Sequence, residues 1–297
     1  MSTTQQQNLD ISVEGFLYYA GIVLVTLYLI SFVIEFILKR VGSSLEYIDI
    51  SLISRRIAAL SIHFVVFLLF SQSLYILFLN NRFFNDNLPS PSSYEHWSHH
   101  KPPKSFESET QKLYFYLTKT DIAYSGYKQA KLLLQIAFTI NGAFNGIDMI
   151  SMYLYNKGFS AENSSLLIFH HWIIIWIESC IFNLDLLSFH PDWLWVFSIC
   201  GICLIIGCMS DLILSPSTIK CFINEKSLFY KKLLWIHLLF NVILLRAVGI
   251  SMIAFDFIVT LWQIDWKYGA SFQISLIFMW LQWNNLGKAI WHKIQTW

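Results

Sequence analysis

The stretch Ser165-Leu-Leu-Ile-Phe-His170-His171-Trp-Ile-Ile-Ile-Trp-Ile-Glu178 decides how the chain is read. It is apolar enough to lie in lipid, yet it carries two adjacent histidines and ends on a carboxylate. Lipid solvates imidazole poorly, so an ionisable group at membrane depth is a functional-site candidate by default. The rest of the chain supports that setting. Of 297 residues, 56% are hydrophobic, 17% aromatic and 13% charged, with a mean hydropathy of +0.52. A soluble domain carries about 25% charged residues. Backbone groups in lipid must be satisfied within the segment that crosses it. The composition therefore predicts an all-α polytopic membrane protein.

A span needs about 20 mainly apolar residues. Seven segments meet this: 16–38, 57–79, 132–155, 166–187, 193–214, 233–262 and 271–290, the sixth expected to bend near Gly249. The longest connection, 80–131, has a Pro- and Ser-rich centre that reads as irregular loop. Its second half, 107–131, suits a surface helix. Basic residues follow the first, third and fifth spans: Lys39, Arg40, Arg55 and Arg56; Lys157; then Lys220, Lys226, Lys231 and Lys232. The positive-inside rule then places the C-terminus inside and the N-terminus outside. The seven basic residues of 80–131 fall on the other side, but long loops translocate largely regardless of charge.

Several chemistries are disfavoured. The net charge of +1 and the lack of a basic tail argue against a nucleic-acid partner. Met1 to Asp10 is polar without Arg or Lys, so neither a secretory signal nor a transit peptide is expected there. The five cysteines lie in or beside apolar runs, and Cys200-Gly-Ile-Cys203 reads as helix packing. His96-Trp-Ser-His99-His100 spells one histidine box of the di-iron membrane enzymes, but two metals need three such boxes. No metal and no cofactor are expected.

Polar residues instead align on helix faces. Asn141, Asn145 and Asp148 stand at i, i+4 and i+7; His171, Glu178 and Asp185 follow seven-residue steps. Asn285, Lys288 and His292 share a face, and Arg246 lies within the sixth span. A charge at the bilayer centre costs about 2.5–3.5 kcal/mol on insertion scales, so Arg246 calls for Asp148 or Glu178. These groups either hold the bundle together or line a polar lipid-headgroup pocket. The pocket candidates are His63, Asn145, Asp148, His170, His171, Glu178 and Arg246.

In order, these residues resemble the TLC-domain superfamily, both its lipid proteins and, more distantly, the ceramide synthases. The resemblance runs through Arg55-Arg-Ile-Ala-Ala-Leu-Ser-Ile-His63, Gly146-Ile-Asp148, His170-His171, Ser210-Asp211-Leu-Ile-Leu-Ser-Pro216, Phe240-Asn-Val-Ile-Leu-Leu-Arg246 and Leu281-Gln-Trp-Asn-Asn-Leu-Gly-Lys-Ala-Ile-Trp291. It implies a TLC-like bundle of six spans over 55–297, preceded by residues 1–54 with the first span and its connecting loop. The order Asp148…His170-His171 also resembles the elongase family, without that family's extended histidine box.

The chain departs from the synthases where Trp172 follows the histidine pair and where only Asp211 is available for two close aspartates. The expected function is therefore a non-catalytic lipid-binding or lipid-organising membrane protein. It is also expected to be an accessory subunit of a larger membrane complex, touching partner subunits through 1–10 and 80–131, in the mitochondrial inner membrane or the endoplasmic reticulum. The alternative is an acyl-CoA-dependent N-acyltransferase using His170, His171, Asp148 and Asp211. An imidazole with an ordinary pKa near 6.5 suits general-base work.

Overall fold

The computed structural model describes residues 13–41, 47–79, 121–160, 165–183, 191–215, 218–219, 223, 226–246, 258–259, 261–262 and 265–296. The described residues are almost entirely helical, in seven helices and without strands. They are α1 (Val13–Val41), α2 (Tyr47–Leu79), α3 (Asp121–Tyr155), α4 (Ser165–Asn183), α5 (Pro191–Leu214), α6 and α7 (Trp266–Gln295). Helix α6 is α-helical over Leu228–His237 and continues as a π-helix over Leu238–Arg246.

Among the described residues three helices are long and apolar enough to cross a membrane: Leu17–Val41, Ile50–Leu79 and Leu194–Leu214. Helix α4 adds a shorter apolar stretch, Leu167–Ser179. Seven spans were expected; α3 and α7 mix amides and charges into their apolar runs, and parts of the fourth and sixth expected spans lie outside the described residues. The chain is compatible with an integral membrane protein. Its outer surface agrees: Leu17, Val25, Leu29 and Phe32 of α1 are all more than half exposed, and apolar surface on that scale marks a lipid- or protein-facing side.

Helix boundaries differ from expectation at the α1–α2 junction. Helix α2 begins at Tyr47, so the division at 54/55 falls inside a helix. Ser54 Oγ and the Arg55 guanidinium donate to the Ser51 carbonyl, which lets the polar start of α2 remain helical. The described part of 107–131 is simply the first turns of α3. The expected bend near Gly249 and the loop around His96 to His100 lie outside the described residues.

Six helices close a ring. Helix α2 packs on α3, α3 on α4, α4 on α7, α7 on α6, α6 on α5 and α5 back on α2, with α1 outside against α2 and α3. Successive neighbours run antiparallel, as their pairings show: Phe70 meets Phe138 while His63 meets Phe144. The α2–α3–α5 side is the tightest. Ala58, Ala59, Ala130, Ala137 and Ala143 are buried there, and small residues allow the close backbone approach on which helix association in lipid depends. Gly201 of α5 lies directly under the Phe70 ring, with no room for a Cβ. Ser73 of α2 donates to the Ala130 carbonyl (3.2 Å) and meets Ser198 of α5 (3.0 Å), bonding three helices at one point.

Candidate functional site

The ring encloses a cavity of about 760 Å³ with mainly apolar walls. Its residues come from all six ring helices. The antiparallel order gives it two halves. Phe70, Phe138, Phe197 and Phe272 line the half where α3, α5 and α7 begin or run early. His63, Asn145, His171, Asp211 and His237 line the half toward the ends of α3 and α5 and the starts of α4 and α6. Each of the six sequence segments that carried the family resemblance contributes a residue to the cavity or directly behind it.

The first polar cluster joins α2, α3 and α4. Asp148 is fully buried because the chain after α3 folds back over it. The Phe159 N–H and the Ser160 hydroxyl donate to its carboxylate, and the Ser160 N–H adds a third bond at 3.2 Å. Asn156 takes a positive φ of 55° in that return, a conformation asparagine tolerates better than most residues. The Arg55 guanidinium donates to the Gly158 carbonyl at 2.6 Å and fixes the return to α2. Arg56 is buried within electrostatic range of Asp148.

His171 sits beside this carboxylate, 3% exposed. Its Nε2 lies 3.6 Å from Asp148 Oδ2, too long for a hydrogen bond. Asp148 is thus committed to the return loop more than to the histidine. His63, 4% exposed, packs on the Phe144 ring and lies within electrostatic range of His171. His170 is half-buried on the cavity wall, its ring 5.9 Å from that of His171. Deeper in α4, Glu178 Oε1 accepts from Asn141 at 2.7 Å, while Oε2 reaches over Gly142, where a Cβ would stand 2.7 Å from it. Asn145 donates to the Asn141 carbonyl and lines the cavity. The Nδ1 atoms of His63 and His171 and Glu178 Oε2 are buried with no hydrogen-bond partner.

A second cluster, on the opposite wall, joins α5 and α6. Asp211 Oδ1 accepts from His237 Nε2 at 2.7 Å and from Asn241 Nδ2 at 2.7 Å. Asn241 also donates to the Gly207 carbonyl and lies 3.1 Å from Ser210 Oγ. Sequence reasoning grouped Asp211 with the histidine pair and did not single out His237. The readable signal was spacing: His237 and Asn241 are four residues apart on one helix and face Ser210-Asp211.

The expected carboxylate partner of Arg246 is not among these contacts, because the Arg246 side chain, like Asp185, lies outside the described residues. Asn285, Lys288 and His292 do share a face of α7, and it is exposed. Cys200 and Cys203, neither of them in a disulfide, lie on the cavity wall. Among the described residues no three His, Cys, Asp or Glu side chains gather as a metal set. Comparison with protein-family models, with curated proteins and with solved structures returns no match.

Proposed function

We propose that the chain is a TLC-like integral membrane protein that holds a membrane lipid in its central cavity and has no chemistry of its own. The cavity carries this reading. Its volume falls within the 300–1,000 Å³ usual for ligand pockets. Side chains that served only to glue the bundle would leave no such space between the two polar clusters. His63, His171 and Glu178 line the cavity, and their polar side chains suit a lipid headgroup. The apolar half suits an acyl chain.

Native mass spectrometry of the detergent-purified chain tests this. One retained lipid per chain is expected, with its loss in Cys203→Trp, which puts an indole into the cavity wall. A wild-type chain that carries no lipid, or a Cys203→Trp variant that retains it fully, would overturn the reading.

The complex-subunit part of the proposal, with partners on 1–10 and 80–131 in the mitochondrial inner membrane or endoplasmic reticulum, rests on the sequence. Native gels after gentle solubilisation test it: migration solely as the 34.8 kDa monomer contradicts it. One observation favours the acyltransferase reading as a second possibility, namely histidines beside carboxylates on the cavity wall. Conversion of an acyl-CoA and a long-chain amine to the amide, abolished in the doubly substituted His170→Ala, His171→Ala chain, would establish it; no turnover by wild type would remove it.

A further inference from the structure

We propose that the cavity is blind at its aromatic end and selects a lipid with an acyl chain of about 8–12 carbons, the Phe70 ring being the stop that sets the length. This deepens the lipid-binding reading and rests on it. The exposure of the lining residues is graded along the cavity. Phe70, Phe197, Cys200 and Phe272 are 2–5% exposed and Phe138 9%. At the other end the Asp211 side chain is 35% exposed, Leu214 and Ser215 are half-buried, and Asn285, Leu286 and Ala289 are exposed. A chain therefore enters past Asp211 and His171 and meets a wall at the phenylalanines. The rings of that wall hold one another. Phe70, Phe138 and Phe197, from α2, α3 and α5, meet edge to face at 5.2 and 5.7 Å, and Phe70 is seated on Gly201, where no Cβ could stand.

Helix rise gives the depth. His63 stands seven residues from Phe70 on α2, and Asp211 ten residues from Gly201 on α5. At about 1.5 Å per residue, the polar level lies about 10–15 Å above the ring. Carbon–carbon bonds of about 1.5 Å advance an extended chain by about 1.25 Å per carbon, so about 8–12 carbons fill that depth. Cys203 and Leu204 of α5 line this stretch and are half-buried. The Asn141–Glu178 pair, bonded within itself at 2.7 Å, marks the lower edge of the polar wall on α3 and α4, so the tail runs down the α2–α5 side. The volume agrees. A cavity of about 760 Å³ holds about 25 groups the size of a water molecule, which is one such chain with a polar head and too little for a phospholipid with two long chains.

The experiment uses the full chain in nanodiscs with saturated monoacylglycerols from octanoyl to octadecanoyl as probes. Each is held at the same mole fraction in the bilayer, so that differences in membrane partitioning cancel. Native mass spectrometry reads the bound fraction. Wild-type binding is expected to peak between octanoyl and dodecanoyl and to fall by about five-fold or more at octadecanoyl, because a longer tail must overpack the closed wall. Phe70→Ala removes the stop and is expected to move the peak to longer chains by about two carbons. Wild-type binding that does not fall toward octadecanoyl overturns the blind end and leaves the cavity reading intact; this arm needs no variant to fold. A wild-type peak at tetradecanoyl or beyond overturns the assigned length. A folded Phe70→Ala chain with the wild-type peak overturns Phe70 as the stop. Failure of every probe to bind wild type removes the cavity reading itself.

Discussion

Asp148 shows how far a single residue could be read from the sequence. Its place beside the histidine pair was legible, since Asp148 and His171 occupy spans joined by a short connection. Its main partners were not, because the backbone N–H groups of Phe159 and Ser160 become donors to it only once the chain turns back at Asn156. The role that follows is structural closure of one end of the cavity. Replacing Asp148 by Ala would strand two backbone donors and a hydroxyl in a buried place, and each unsatisfied donor costs about 1–3 kcal/mol. The expected outcome is a chain destabilised by at least ~2 kcal/mol in thermal unfolding in detergent, whatever lipid is present. His171→Ala removes no hydrogen bond from Asp148 and is expected to shift unfolding far less while weakening lipid retention. Similar unfolding shifts for both would contradict this division of roles.

Between helices, shape outweighs polar bonding. Seven apolar runs could be counted from the sequence, but nothing in it shows that the Phe70 ring lies on Gly201 or that Ser73 reaches both Ala130 and Ser198. Such contacts depend on the register between helices far apart in the chain, which hydropathy does not encode. Ser73→Ala deletes an interhelical bond of a kind worth about 0.6 kcal/mol on average in membranes, and little change in unfolding temperature is expected. Gly201→Val would drive two methyl groups into the Phe70 ring, and overpacking of that kind costs about 1–3 kcal/mol. A Ser73→Ala chain less stable than Gly201→Val would show that the α2–α5 seam is held by hydrogen bonds instead. The π-helical part of α6 was equally hidden: nothing in Leu238 to Arg246 announces the wider turn in which Asn241 sits.

For the whole molecule, the chemistry-bearing segments come together only in the tertiary structure. Six short segments spread over 55–291 supply the wall of a single cavity or its backing, although the ring order that brings them together needed the tertiary contacts. The basic residues Arg55, Arg56, Lys157, Lys226, Lys231 and Lys232 gather at the ring end that holds the polar half of the cavity. By the positive-inside rule this end is expected to be the inner face. A cysteine in place of Lys226 and one in place of Gln295 are expected to react with a membrane-impermeant thiol reagent only after the membrane is opened, while one ahead of α1 reacts in the sealed membrane. Labelling of Lys226→Cys from outside would invert the topology.

The ring is completed by α7, the last of the described helices in chain order. Ile173 of α4 meets Met279 and Trp283 of α7, and Phe169 meets Phe278, to seal the seam between them. Until that seam forms, His171 and Glu178 have α3 beside them, but the cavity they line is open toward α7. A chain inserted into a membrane would therefore carry His171 and Glu178 through the translocation machinery with the cavity they line still open on one side. Biogenesis, and not only the mature fold, is the stage at which α4 depends on a shield: a chain truncated before Trp266 is expected to be held by an insertion chaperone or degraded, where one lacking only α1 can still close its ring.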